Sequence, residues 1–313
     1  MNFQQLRIIR EAVRRQFNLT EVAAALFTAQ SGVSKHIRDL EDELGIEIFE
    51  RRGKRLLGLT EPGRELAAIV ERMLLDAENI RRLADQYRRQ DEGELTIAAT
   101  HTQARYALPP VIARFIRAYP RVQLSLHQGS PEEINQMLLD GRADIGVATE
   151  ALSREARLVS FPFYSWRHAV VVPKTHPLAS STALSLAELA EQPIITYDRA
   201  FTGRGRIDEA FREAGLAPQI VMTAVDSDVI KTYVEIGLGI GIIASIAFQP
   251  DHDIGLHLIP ADHLFAENIA HLATLRGRLL RGYALHFFEL CNPDLSRAAI
   301  VEAQNRHGGE VGG

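Results

Sequence analysis

Apolar positions in residues 18–44 follow two short helical periods separated by a bend. Leu19, Val22, Ala23 and Leu26 repeat at helical spacing behind Asn18, which with Glu21 three positions on has the form of a capping box. Phe27 occupies the bend, and Thr28 is placed to cap the next helix. In that helix Val33, Ile37, Leu40 and Leu44 step by four, three and four along one buried stripe, and Gly45 stops it. The opposite face carries Gln30, Ser31, Ser34, Lys35 and Arg38. Short or forked polar side chains near a helix N-terminus suit the base edges and phosphates of a DNA major groove. The pattern predicts a helix-turn-helix, with a plain surface hairpin of two helices as the alternative. A further helix over about 3–17, with Phe3, Leu6, Ile9, Val13 and Phe17 inward, is expected to pack beneath it.

Residues 49–57 read as a small hairpin with Gly53 in its turn, from which Arg51, Arg52, Lys54 and Arg55 project. A short basic run is usually a solvated loop. Directly after a helix-turn-helix it reads as a wing that meets phosphates or the minor groove. Thr60 and Pro62 then open a long helix in which Leu66, Val70, Met73, Ala77, Ile80, Ala84 and Tyr87 step 4, 3, 4, 3, 4, 3. That seam predicts a dimerisation zipper, the alternative being an amphipathic helix lying on its own core. A two-fold dimer also supplies the second half-site that one winged unit lacks. The expected divisions are a winged helix-turn-helix over 1–60 and a linker and dimerisation helix over 61–92.

After Asp91-Glu92-Gly93 the period changes to alternating strand and helix. Strands are expected at 95–99, 122–127, 145–148, 169–172, 193–197, 219–223, 240–244 and 269–275. Helices are expected near 106–119, 131–140, 185–191, 206–214, 228–236 and 279–291. The order implies an α/β fold of parallel sheets covered by helices, in two lobes with a cleft between them. The domain is expected over 93–295, lobe I at about 93–162 and 268–295, lobe II at about 163–267, and a Gly-rich, disordered tail over 296–313.

Charge sharpens this division. Residues 1–90 hold 16 Lys and Arg against 14 Asp and Glu, while the rest holds 19 against 26, within a net charge of −5. DNA affinity therefore belongs to the first part, and the acidic remainder is spared non-specific DNA contact. A single cysteine, Cys291, excludes an internal disulfide framework and a thiolate-rich zinc site. Arg7, Arg10, Arg14 and Arg15 interrupt the start of the chain, so no signal peptide is expected. The longest apolar run, 236–248, is short and broken by Gly237, Gly239 and Gly241, so no membrane span and a cytoplasmic location are expected.

Candidate chemistry gathers where strands are expected to end. Thr100, Thr102 and Gln103 follow the strand at 95–99, Ser130 follows 122–127, Thr149 follows 145–148, and Thr202 follows 193–197 ahead of a helix. Ligands of open α/β folds bind beyond the carboxyl ends of strands, and helix N-termini offer free amides to anions. Hydroxyls and an amide there suit a small oxyanion or carboxylate held by neutral donors; helix capping is the plainer role for any one of them. Arg105 and Arg204 are placed either to add charge or to face solvent, and Trp166 either to line the cleft or to pack the hinge. No dinucleotide fingerprint, P-loop, zincin motif or nucleophile elbow is present, and neither a metal nor a cofactor is expected. His101 beside Thr100 and Thr102 is the nearest approach to catalytic chemistry, and no enzymatic activity is expected.

The winged unit, zipper helix and two-lobed domain, in that order, resemble the LysR-type transcriptional regulators over essentially the whole chain. The segment 29–34, from Ala29 to Ser34, is similar to the family's recognition-helix segment, with Ser31 replacing a commonly seen proline. The segments 100–109, 127–131, 148–152, 201–204 and 228–234 resemble the CysB-like branch, regulators of sulfur assimilation and cysteine biosynthesis. The resemblance implies an effector domain built like periplasmic binding proteins. It implies that Thr100, Thr102, Gln103, Thr149 and Thr202 hold sulfate or an acetylated serine, and links Trp166 to the inducer response. It further implies promoter DNA as partner and a homo-oligomer, a dimer and typically a tetramer, with RNA polymerase open as another partner. Two rivals are a transport-type solute-binding protein, which has no use for residues 1–90, and a regulator of a different pathway.

Overall fold

A computed structural model describes residues 1–53, 55–88, 91–181, 183–199 and 201–306, with all of their side chains except those of Glu150, Ala151 and Thr202. Two compact units divide the chain, 1–87 and 88–313. The first begins with α1 (Phe3–Arg14), α2 (Leu19–Ala25) and α3 (Gln30–Leu44), continues through the hairpin β1 (Phe49–Arg52) and β2 (Arg55–Leu59), and runs into α4 (Glu61–Arg88). Asn2 and Gln5 form a capping box at the start of α1, and its inward residues are Gln5, Leu6, Ile8, Ile9 and Ala12. Phe3 and Val13, expected inside, are exposed. Asn18 caps α2, but Glu21 contacts the Asn18 side chain at 2.7 Å and does not reach back to its backbone. Thr28 caps nothing: the N-cap of α3 is Ala29, without a side-chain hydrogen bond. Val33, Ile37 and Leu40 are buried, whereas Leu44, in the last turn before left-handed Gly45, is 39% exposed.

The start of α4 is set by a close approach. A Cβ on Gly63 would lie 2.0 Å from the Ile48 carbonyl oxygen, so the helix can pass there only as glycine. Val70 and Leu74 then join the core formed by α1, α2, α3 and the wing, with Leu66 packed against it. This corrects the expected seam, because Val70 and Leu66 serve their own unit. Ile69, Met73, Ile80, Leu83 and Tyr87 are the large apolar side chains of α4 that stay exposed.

The second unit holds two five-stranded sheets. In chain order its elements are β3 (Glu92–Ala99), α5 (Pro109–Ala118), β4 (Arg121–Gln128), α6 (Pro131–Leu139), β5 (Ile145–Thr149), β6 (Leu158–Trp166), β7 (His168–Pro173), α7 (Leu186–Ala190), β8 (Pro193–Tyr197), α8 (Thr202–Glu213), β9 (Gln219–Ala224), α9 (Ser227–Glu235), β10 (Ile240–Ala244), β11 (Leu256–Pro260), β12 (Asn268–Leu275), α10 (Gly282–Cys291) and α11 (Arg297–Asn305). Lobe I has the strand order β4-β3-β5-β12-β6 and lobe II β11-β7-β10-β8-β9. Both sheets are mixed, not parallel as expected. Strands β12 and β6, which carry the chain between lobes, pair antiparallel with each other, and β12 runs antiparallel to β5; β7 runs antiparallel to β10 and β11. The first crossing falls at Arg167, beyond the expected 162, because β6 continues through Pro162 across a register shift opposite Ala270 and His271.

Lobe I encloses Phe115, Phe287 and Phe288 between the sheet and α5 and α10. The expected tail is ordered through its first part: α11 inserts Ile300, fully buried, into this same core. Arg276 secures the end of that helix, donating to the carbonyls of Ala303 at 3.3 Å and Arg306 at 3.1 Å, as well as to those of Ala156 and Leu158.

A charge cluster ties the lobes together. From lobe I, the Tyr106 hydroxyl donates to Asp228 at 2.6 Å and Arg105 pairs with the same carboxylate at 2.9 Å. From α9, Lys231 donates to the Tyr106 oxygen at 3.2 Å, to the Ala247 carbonyl at 2.8 Å and to Asp253 at 3.1 Å. Burial disfavours the Lys231 ammonium, but the bonds to Asp253 and Tyr106 outweigh it and raise its pKa. Burial likewise opposes ionisation of Asp228, yet the Tyr106 hydrogen bond and the Lys231 charge hold its carboxyl below the usual range.

Two outcomes are expected. Ile300→Ala costs about 2–5 kcal/mol in urea unfolding of the second unit, whereas a disordered segment would show no change. Lys231→Met leaves the Asp253 carboxylate without its ammonium partner and costs about 3–5 kcal/mol by the same measurement. The cluster's contribution in the unaltered protein is full between about pH 4 and about pH 10. It is lost below that window as Asp228 gains a proton and above it as Lys231 loses one.

Candidate functional site

In the second unit the carboxyl ends of β3, β5 and β8 open on one cleft. Its wall includes Thr100, His101, Thr102, Gln103, Thr149, Trp166, Tyr197, Phe201, Gly203, Val225 and Ala244. Thr100 and Thr149 stand there because β3 and β5 are parallel neighbours, and the Thr100 amide continues the ladder by donating to the Val147 carbonyl at 3.2 Å. The chain then turns through a wide helical segment, Gln103–Ala107, in which the Leu108 amide reaches back five residues to the Gln103 carbonyl at 2.9 Å. Such π-type turns bring side chains to positions that a regular helix does not, and they recur at functional sites.

Gln103 is 1% exposed, and its Oε1 accepts from the Tyr164 hydroxyl at 2.7 Å. With its oxygen so engaged, the amide presents its NH2 as the remaining donor. Burial pushes the Tyr164 phenol up, so it stays a proton donor at neutral pH. Across the cleft the Tyr197 hydroxyl accepts from the Ala244 amide at 2.9 Å and meets the Ser227 hydroxyl at 2.6 Å. Burial raises the Tyr197 pKa also. The N-terminus of α8 closes the opposite side through Phe201 and Gly203. Hydroxyl, amide and helix-end donors thus converge where, among the described residues, no Asp, Glu, Lys or Arg lines the wall. That arrangement is chemically suited to an anion held by partial charges.

Five of the expected ligand residues, Thr100, Thr102, Gln103, Thr149 and Trp166, share this wall. The side chain of Thr202 lies outside the described residues. Ser130 is not on the wall: its hydroxyl caps α6 in a reciprocal box with Glu133. Arg204 is buried but bound to Asp208 and to the Tyr197 carbonyl, and Arg105 is taken by Asp228. His101, Asp226 and Asp228 lie close enough to share a cation. Asp228 is already matched by Lys231 and Arg105, however, and Asp226 caps α9 through the Val229 amide at 2.8 Å. Tyr197, Val225, Ala244 and Tyr164 had no signal in the sequence, since each reads as an ordinary strand or loop residue.

The first unit presents the other site. Gln30, Ser31, Lys35 and Arg38 are exposed along α3 and Ser34 is half-buried. In the wing Arg52 and Arg55 are exposed, Lys54 lies outside the described residues, and Gly53 takes φ +63° in the turn. Arg51 is partly withdrawn, since its guanidinium pairs with Glu41 at 2.5 Å. Phe27 holds the bend at φ +51° and is 98% exposed.

Residues 3–64 match the bacterial regulatory helix-turn-helix proteins of the lysR family, and residues 88–296 match the LysR substrate binding domain. The chain is 57% identical over 301 residues to the HTH-type transcriptional regulator SsuR of Burkholderia cenocepacia, covering 96% of this chain and 98% of the relative. It is 54% identical over 303 residues to the regulator CysB of the same organism, covering 97% of each. The crystal structure of the cofactor-binding domain of the Cbl transcriptional regulator superposes with a TM-score of 0.66 at 47% identity, over 69% of this chain and 95% of that one. No helix among the described residues is long and apolar enough to cross a membrane. A DNA-reading first unit and a ligand-cleft second unit, matched over nearly their whole length, place the chain in the LysR family of bacterial transcriptional regulators, beside SsuR, CysB and Cbl.

Proposed function

We propose that this regulator controls genes of sulfate assimilation and cysteine biosynthesis, and that its effector is a small sulfur-pathway anion such as sulfate or an acetylated serine. The observation that carries the reading is the cleft wall of Thr100, Thr102, Gln103 and Thr149, rich in neutral donors and, among the described residues, without Asp, Glu, Lys or Arg. Sulfate and carboxylates are well matched by such donors, and a cationic ligand is not. High identity to SsuR and CysB along the whole chain supports the same branch. The exposed apolar stripe of α4 supports pairing of two copies, and a dimer of such dimers would read extended promoter sites. Ligand acts by favouring one arrangement of the lobes, and can do so only through different affinity for the arrangements.

Titrating promoter binding against a panel of sulfur metabolites tests the proposal; indifference to all of them would refute it. Thr102→Ala is expected to weaken calorimetric binding of sulfate or acetylserine by about 0.5–3 kcal/mol. Replacing Arg52 and Arg55 by Ala is expected to weaken binding to every DNA sequence and to lower the slope of log affinity against log salt. A gel-shift series at several salt concentrations reads that slope.

A further inference from the structure

The five-residue turn Gln103–Ala107 serves three neighbours at once. Gln103 lines the cleft, while Ala104 and Leu108 are buried in the lobe I core. Tyr106 leaves its own lobe: its ring packs against the lobe II core that holds Ile230 and Val234. In a regular helix residues three apart share a face, so Gln103 and Tyr106 would point the same way; the wider turn separates them. The Tyr106 hydroxyl donates to Asp228 at 2.6 Å and accepts from Lys231 at 3.2 Å, so both of its bonding roles are filled by α9. Lys231 Nζ also stands 5.4 Å from the centre of the ring. The cleft needs both lobes, since Thr100, Thr102 and Gln103 face it from one and Tyr197, Gly203 and Ala244 from the other. Its donors converge in one mutual arrangement of the lobes.

We propose that Tyr106 is a positioning residue for the effector: it anchors lobe I to lobe II in the arrangement that completes the cleft, and does so from outside the cleft wall. The inference rests on the reading of the cleft as the effector site, and names what holds that site assembled. Ala104 and Leu108 fix the turn to lobe I, and the hydroxyl and ring of Tyr106 fix it to α9, so parting the lobes breaks both of the hydroxyl's bonds. Apparent affinity then follows the fraction of molecules in the assembled arrangement, whatever the anion. A wall residue acts differently, because its loss is felt by each anion according to the contact it makes. By reciprocity, an anion whose affinity depends on the anchor must also tighten the anchor when it binds.

Two measurements on the full chain test this, calorimetry with sulfate and with N-acetylserine, and hydrogen exchange of the α9 amides. Tyr106→Phe keeps the ring and removes only the hydroxyl's two bonds. It is expected to weaken both anions by one common factor, about three- to tenfold. Exchange of α9 rises in the free variant and returns to the unaltered level at saturating anion, a recovery that a plain packing defect does not show. Tyr106→Ala, which withdraws the ring as well, gives a larger common factor. Unchanged affinities, a loss confined to one anion, or exchange that saturating anion does not restore overturns the anchor alone. If only one anion binds the unaltered protein, the recovery of exchange decides. If neither binds, the reading of the cleft fails and the anchor's part in it too.

Discussion

Lys231 is the interaction on which the second unit turns. Its ammonium, 7% exposed, spends its protons on a phenol, a carbonyl and a carboxylate, and its partners come from both lobes. The lobes are also joined by the crossing at Arg167 and the return into Asn268, by the Arg105–Asp228 pair, and by the packing of Trp166 and Ala270 on Ala244. A buried ion pair is weak evidence of stability but a strong specifier of arrangement, because the charges cannot part without each losing its compensation. His101 touches both systems: it lines the cleft and lies 3.6 Å from Asp228. The cleft wall and the cluster between the lobes therefore share a residue.

Within the cleft, neutrality is the organising property. A full counter-charge would bind many anions indiscriminately and would itself need compensation when the cleft is empty. Oriented hydroxyls and amides are cheaper to bury, since they bond each other meanwhile, as Gln103 does with Tyr164. Their geometry then discriminates among anions by shape.

The first unit solves a different problem, that of making a small domain rigid enough to present a helix. It does so by borrowing from α4: Val70 and Leu74 complete a core that α1 to α3 and the wing would otherwise leave open. The rest of α4 is left with an apolar stripe from Ile69 to Tyr87 that its own chain does not cover. One helix thus serves intramolecular packing at its start and offers an unpartnered face beyond it.

Local periodicity carried the helix-turn-helix, the wing around Gly53, the lobe strands other than Leu158–Trp166 and Leu256–Pro260, and the placement of Thr100, Thr102 and Thr149, because each depends on residues within a few positions of one another. It also pointed correctly to an apolar stripe on α4 but not to what covers its first turns, since a 4-3 repeat is the same whether the partner is one's own core or a second chain. Ser130 and Thr100 look alike in sequence; one caps a helix and the other lines the cleft, a difference set by which strand lies beside which. Lys231 and Asp253, or Trp166 and Asn268, meet only when the chain has crossed between lobes and returned. Contacts of that span leave no period in the chain, so burial and charge state follow from packing alone.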